Sequence, residues 1–306
     1  MRSIDFIKNR KLFLLISVAF LALGLILNII MGTELDIQFK GGTLLRYSYT
    51  GTLDEQSVID FVQTKIPQAT IDFENDEITI TSTENIESDV QTTFKDQLAK
   101  QYPGNSFAEL STTSPQPAYG HSFFIKCLVA IALASLFLVI YVGIRFRRIG
   151  GVSAAVMALL ALLHDILMAY FTFVVFGIPL NDNFFAVVLT ILGYSLNDTI
   201  VIYDRIRENR RKLDKKTSIG DIVNLSLNQS LSRNVITTFC VFIAIATVAV
   251  VAFIASIDSI LSFALPMTVG VVAGFYSSTF VSVPMWALWV EYSEKRASLK
   301  EKTKKK

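Results

Sequence analysis

The 306-residue chain is 52% hydrophobic, has a mean hydropathy of +0.49, and carries only 18% charged residues. A soluble domain usually carries about 25% charge, so composition excludes an ordinary soluble enzyme; 11% aromatics and two cysteines exclude a disordered chain and a disulfide scaffold. A net charge of +2 is too small to suggest nucleic-acid binding, and the informative signal is where the charges lie.

A helix needs about 20 apolar residues to cross a bilayer. The first uncharged run, Leu12–Met31, has 20. Lys8, Arg10 and Lys11 precede it, as in a signal peptide. However, the run is long for one and no small-x-small cleavage site follows Met31, so it reads as a retained anchor.

Residues 32–121 then form a large loop with 14 acidic and five basic residues, read as a small folded domain. Asp36–Tyr49 alternates as a strand or bent strand around Gly41-Gly42, and Glu55–Ile66 has helical spacing through Val58, Ile59, Phe61 and Val62. Ala69–Phe73 and Glu77–Thr81 form a hairpin across Glu74-Asn75-Asp76, Asn85–Tyr102 a second helix, and Ser106–Ser111 a last strand. The order β-α-β-β-α-β is the ferredoxin-like pattern. A short turn-rich linker, Ser111–Pro117, leads back to the membrane.

Five more spans follow: Cys127–Ile144, Ile149–Ile178, Phe184–Tyr203, Val235–Ile257 and Ser259–Val290, the last interrupted by Pro266 and Pro284. The chain thus divides into an N-terminal segment and first span (1–31), a loop domain (32–121), five spans (122–290) with a polar loop at 204–234, and a basic tail (291–306). Of 28 Lys and Arg residues, 22 lie before span one, after span two, in the 204–234 loop or in the tail. The positive-inside rule therefore puts both termini in the cytoplasm and the acidic domain outside. Within the loop, a helix starting at Ser218 and carrying Ile222, Val223, Leu225, Leu227 and Leu231 reads as amphipathic, lying on the inner membrane face beside a basic stretch suited to anionic lipids.

Ionisable groups inside a span cost about 2.5–3.5 kcal/mol each on insertion scales, so they are functional candidates. Three qualify: His164, Asp165 and Asp198, with Arg233 at the lip of span five. Helical spacing places Thr190, Tyr194, Asn197, Asp198, Val201 and Arg205 on one side of span four, a polar stripe that should face a partner helix or water. A structural hydrogen-bond cluster is the competing reading, weaker for Asp198 and evenly weighted for the His164-Asp165 pair. Gly193, and Gly270 with Gly274, Ser277 and Ser278, read as close-packing positions. Cys127 and Cys240 read as inert packing residues. No phosphate-binding loop, zinc-protease motif or Cys/His cluster is present, so no cofactor, metal site or hydrolytic activity is expected.

The stretch from Gly193 to Glu208, GYSLNDTIVIYDRIRE, closely resembles the signature of the SecF family of bacterial protein-export translocase subunits (SecD/SecF, within the RND superfamily). Phe39-Lys40-Gly41-Gly42-Thr43, His164-Asp165, Arg233 with Ile236-Thr237-Thr238, and Gly274–Phe280 agree with the same family. The likeness departs at Gln38, where the family often has an acid, and at Pro117–His121, which lacks a usual Gly-Pro. The resemblance implies a subunit that works with SecD, aids the SecY channel, and uses the proton gradient to draw an unfolded exported polypeptide outward. It implies that Asp198 and Arg233 take part in proton passage. A half-exporter of lipids or small molecules, or a passive assembly factor, are the alternative readings.

Overall fold

The computed structural model describes residues 4–40, 42–67, 69–74, 76–82, 86, 88–113, 117–214 and 216–304. Gly41, Asn75, part of the 111–117 linker, and Lys305 and Lys306 of the tail fall outside them. The chain separates into two compact units, residues 35–129 and residues 1–34 with 130–306.

The smaller unit contains a short helical turn (Ile37–Lys40), then strand β1 (Thr43–Thr50), a helix Glu55–Lys65, strands β2 (Thr70–Glu74) and β3 (Glu77–Ser82), a helix Ser88–Gln101, and β4 (Ser106–Thr113). The strand predicted over 36–49 therefore starts late: Ile37–Lys40 is helical, and Gly42 takes a positive φ of 134° just before β1, a region open to glycine because it lacks a Cβ. The sheet order β2-β3-β1-β4, with every neighbour antiparallel, is that of a ferredoxin-like fold. Leu45 and Tyr47 of β1 and Ile78 and Ile80 of β3 alternate inward, and meet Val58 and Val62 of the first helix and Phe94 and Leu98 of the second. A register shift after Arg46 pairs Tyr47 with Glu109 and leaves Leu110 out of the ladder, 50% exposed.

Tyr47 carries a hydroxyl that is buried with no hydrogen-bond partner among the described residues. Burial first, and the charge of Glu109 second, push its pKa up from 10.0 to about 12. The neutral phenol is favoured in the fold, so this contribution is intact below pH 10 and is lost as pH rises toward 12. Tyr47→Phe removes the orphaned hydroxyl. It should be neutral to about 1 kcal/mol more stable at neutral pH, with the advantage widening above pH 10. Limited proteolysis of the full chain across a urea titration, at pH 7 and pH 10.5, measures both.

Among the described residues six helices are long and apolar enough to cross a membrane. They are α1 (Phe6–Met31), α2 (Pro117–Arg145, apolar from Gly120), α3 (Gly151–Val175), α4 (Asp182–Lys212), α5 (Ile219–Ile254) and α6 (Asp258–Tyr276), which runs on through a π-helical turn, Ser277–Ser282, into α7 (Val283–Lys304). Two expectations change here. The segment from Ser218 is not a separate surface helix. With no proline between Ser218 and Ile254, it continues into span five as one 36-residue helix, capped by the Ser218 hydroxyl accepting from Asp221 N–H. Much of its apolar face is covered by protein: Ile222, Val223 and Leu227 pack with Phe6, Phe146, Tyr203 and Trp286, while Leu225 stays exposed. Span six is not broken at its prolines either; Pro266 lies within α6, and the π turn directly precedes Pro284, so the register slips by a residue where the ring would clash.

α1 belongs to the bundle. Phe6 is fully buried, Phe13 and Phe280 meet edge-on at 4.9 Å, and the Tyr276 hydroxyl donates to the Phe13 carbonyl at 2.7 Å. The basic ends of the helices are joined by ion pairs, Arg145–Asp204 at 3.0 Å and Arg10–Glu291 at 3.6 Å, and by the Trp286 indole N–H donating to Ser153 Oγ at 3.1 Å.

Candidate functional site

Among the described residues two carboxylates are buried within the spans, Asp165 on α3 and Asp198 on α4. Asp165, on α3, is wholly buried. Its Oδ1 meets His164 Nδ1 at 3.0 Å, and its Oδ2 accepts from the Ser195 hydroxyl of α4 at 2.5 Å. The chain of hydroxyls continues: Thr199 donates to Ser278 at 2.8 Å, and Ser278 donates to the Ser195 carbonyl at 3.2 Å. Each hydroxyl has one proton to give; Thr199 has a second, longer acceptor in the Ser195 carbonyl at 3.4 Å. The result ties α3, α4 and the π turn into one polar seam.

Small residues on α6 make that seam tight. A Cβ on Gly274 would sit 3.0 Å from Ser195 Cβ and 3.5 Å from Asp165 Oδ2, and one on Gly270 would run into Ile191. Ser277 and Ser278 are buried in the same interface, with the Ser277 hydroxyl turned back to the Gly274 carbonyl at 3.2 Å. Close backbone approach of this kind is how membrane helices pack when lipid supplies no hydrophobic drive.

Asp198 is 1% exposed and reaches α5. Thr238 Oγ1 donates to its Oδ2 at 3.5 Å, at the long limit of a hydrogen bond. Tyr194, one turn earlier, buries its hydroxyl. Arg233 lies on α5 five residues before Thr238, a rise of about 7.5 Å along the helix. It is exposed and, among the described residues, forms no ion pair within 4 Å. The hydroxyl of Thr238, not the guanidinium of Arg233, touches the acid.

The stripe read from helical spacing divides in two. Tyr194 and Asp198 turn inward, whereas Thr190, Gly193 and Asn197 lie on the exposed side. Nothing approaches within 4 Å of where a Gly193 Cβ would be, so this glycine leaves an open surface and does not pack within the chain. Arg205 bonds Gln229 of α5 at 2.7 Å. Cys127 is half-buried and Cys240 exposed, neither packed as a core residue. Ser195, Thr199 and Thr238 are the site residues that sequence reasoning did not single out. Their signal was hydroxyls three residues before and one after Asp198, and five residues beyond Arg233.

Comparison with known proteins gives a consistent result. Residues 93–292 match the family model described as protein export membrane protein SecD/SecF, C-terminal. The chain is 32% identical to the protein translocase subunit SecF of Calditerrivibrio nitroreducens over 90% of each chain. It is 32% identical to the protein translocase subunit SecDF of Bacillus subtilis, covering 93% of this chain and 38% of that one. Its fold is similar to the crystal structure of SecDF, a translocon-associated membrane protein, from Thermus, with a TM-score of 0.79 and 24% identity over 94% of this chain and 39% of that chain.

Proposed function

This chain belongs to the SecD/SecF family of protein-export membrane proteins, and from that premise we propose that it acts as the SecF partner of SecD, assisting the SecY channel with energy from the proton gradient. It is a multi-pass membrane protein and a translocase subunit by kinship. The basic helix ends face the cytoplasm in this reading, and the acidic ferredoxin-like unit meets the exported polypeptide on the other side.

One observation carries the coupling: a carboxylate at membrane depth whose bonding is left loose. Asp165 is held on both oxygens and serves to lock α3 to α4. Among the described residues Asp198 has a single bond, at 3.5 Å, so it is the acid whose gain or loss of a proton meets least resistance from fixed partners. Two protonation states then bias two packings of α4 against α5, with Arg233 setting the field at the cytoplasmic end. The exposed Thr190, Gly193 and Asn197 stripe is the surface on which a second six-helix half seats, as in transporters built from repeats.

The test uses inverted membrane vesicles holding a half-exported substrate, with the cytosolic motor withheld. Vesicles containing this chain and its SecD half should finish export when a proton gradient is imposed and stop when a protonophore dissipates it. Completion at the same rate without a gradient would overturn the proposal.

A further inference from the structure

At the basic end of the bundle a cavity of 610 Å³ opens between α4 and α5, lined by Arg205, Arg207, Arg211, Lys212 and Arg233 against only Asp204 and Glu208. Both acids are already occupied. Glu208 is held by Arg205 and Lys212, each at 2.6 Å, and Asp204 by Arg207 at 2.8 Å and by Arg145 from α2 at 3.0 Å. Arg211 on α4 and Arg233 on α5 are left, among the described residues, without an ion pair within 4 Å. The two helices are pinned beside the cavity by Gln229, whose Oε1 accepts from Arg205 at 2.7 Å and from Asn209 at 2.9 Å.

We propose that this cavity is a binding site for a phosphoryl group, presented either as inorganic phosphate or as the headgroup of an anionic phospholipid. Two unpaired guanidiniums on different helices suit a phosphoryl group, because the planar fork donates two hydrogen bonds to oxygens of one phosphorus. The Ser230 hydroxyl in the lining adds a neutral donor. Arg147 and Arg148 lie outside this cavity and line two smaller clefts, neither of which gathers five cations. The proposal stands on the cavity and its charges and does not depend on proton coupling through Asp198.

The experiment compares the full chain with Arg211→Gln, with Arg211→Gln/Lys212→Gln, and with the control pair Arg147→Gln/Arg148→Gln. In one arm the chain in neutral detergent is titrated with inorganic phosphate at constant ionic strength by calorimetry. In the other, native mass spectrometry follows retention of phosphatidylglycerol against phosphatidylcholine. Saturable binding is expected in at least one arm, and Arg211→Gln should weaken it about tenfold, the scale of one lost charge-assisted bond, while the control pair changes it less than about twofold. A response to phosphate identifies the free anion, and retention of phosphatidylglycerol alone identifies the headgroup; either result supports the site. No saturable binding in either arm, or equal weakening by the control pair, would overturn it. Arg211 is exposed and unpaired, so its single substitution leaves the Glu208 clamp and the helix contacts in place.

Discussion

Asp198→Asn is expected to abolish the gradient-dependent part of export while leaving the chain at normal levels in the membrane. The substitution preserves shape, and the amide oxygen still accepts from Thr238, so the α4–α5 contact survives. What it removes is a group able to carry a proton. A proton crossing 100 mV releases about 2.3 kcal/mol, roughly a fifty-fold bias between two states, and an amide cannot draw on it. Pulse-chase secretion of a slowly exported substrate, with the protein level followed in parallel, reads the effect. Unchanged export at normal abundance would remove the energy-coupling account. Asp165→Asn provides the contrast. It disturbs bonds to His164 and Ser195, so its expected effect is on the melting temperature first.

Gly274→Leu should be the most damaging single change to the bundle. Even a methyl group there would press on Ser195 at 3.0 Å, and a leucine must drive α6 away from α4. Overpacking of this kind costs about 1–3 kcal/mol. The added side chain also reaches Asp165 Oδ2, 3.5 Å from the first methyl carbon, and so strains the Ser195–Asp165 bond; an unpaired buried polar group adds about 1–3 kcal/mol more. Thermal unfolding in detergent, with Gly274→Ala as the milder step, should give a graded loss. A Gly274→Leu protein that melts with the parent would show that the helices do not meet at this face.

The local signals were strong where they depended on neighbours in sequence. Long apolar runs pointed to six spans because crossing lipid is a demand on each helix alone. The ferredoxin-like order followed from period-2 and period-3.6 patterns such as Val58/Val62 and Ile78/Ile80. The same reasoning erred at boundaries. An apolar stripe such as Ile222, Val223 and Leu227 looks the same whether lipid or protein covers it, and protein does.

The sequence by itself settled that three ionisable side chains, His164, Asp165 and Asp198, sit inside apolar helices, since that needs only hydropathy and count. Tertiary structure decided what each one touches. Helical spacing put Asn197 beside Asp198, but a 100° step between neighbours is enough to turn one inward and the other out. Thr238 is 40 residues from Asp198, and Ser195 is 30 from Asp165. Contacts at that range depend on how whole helices pack, through glycines such as Gly274 and a π turn at Ser277, and no local pattern encodes that geometry.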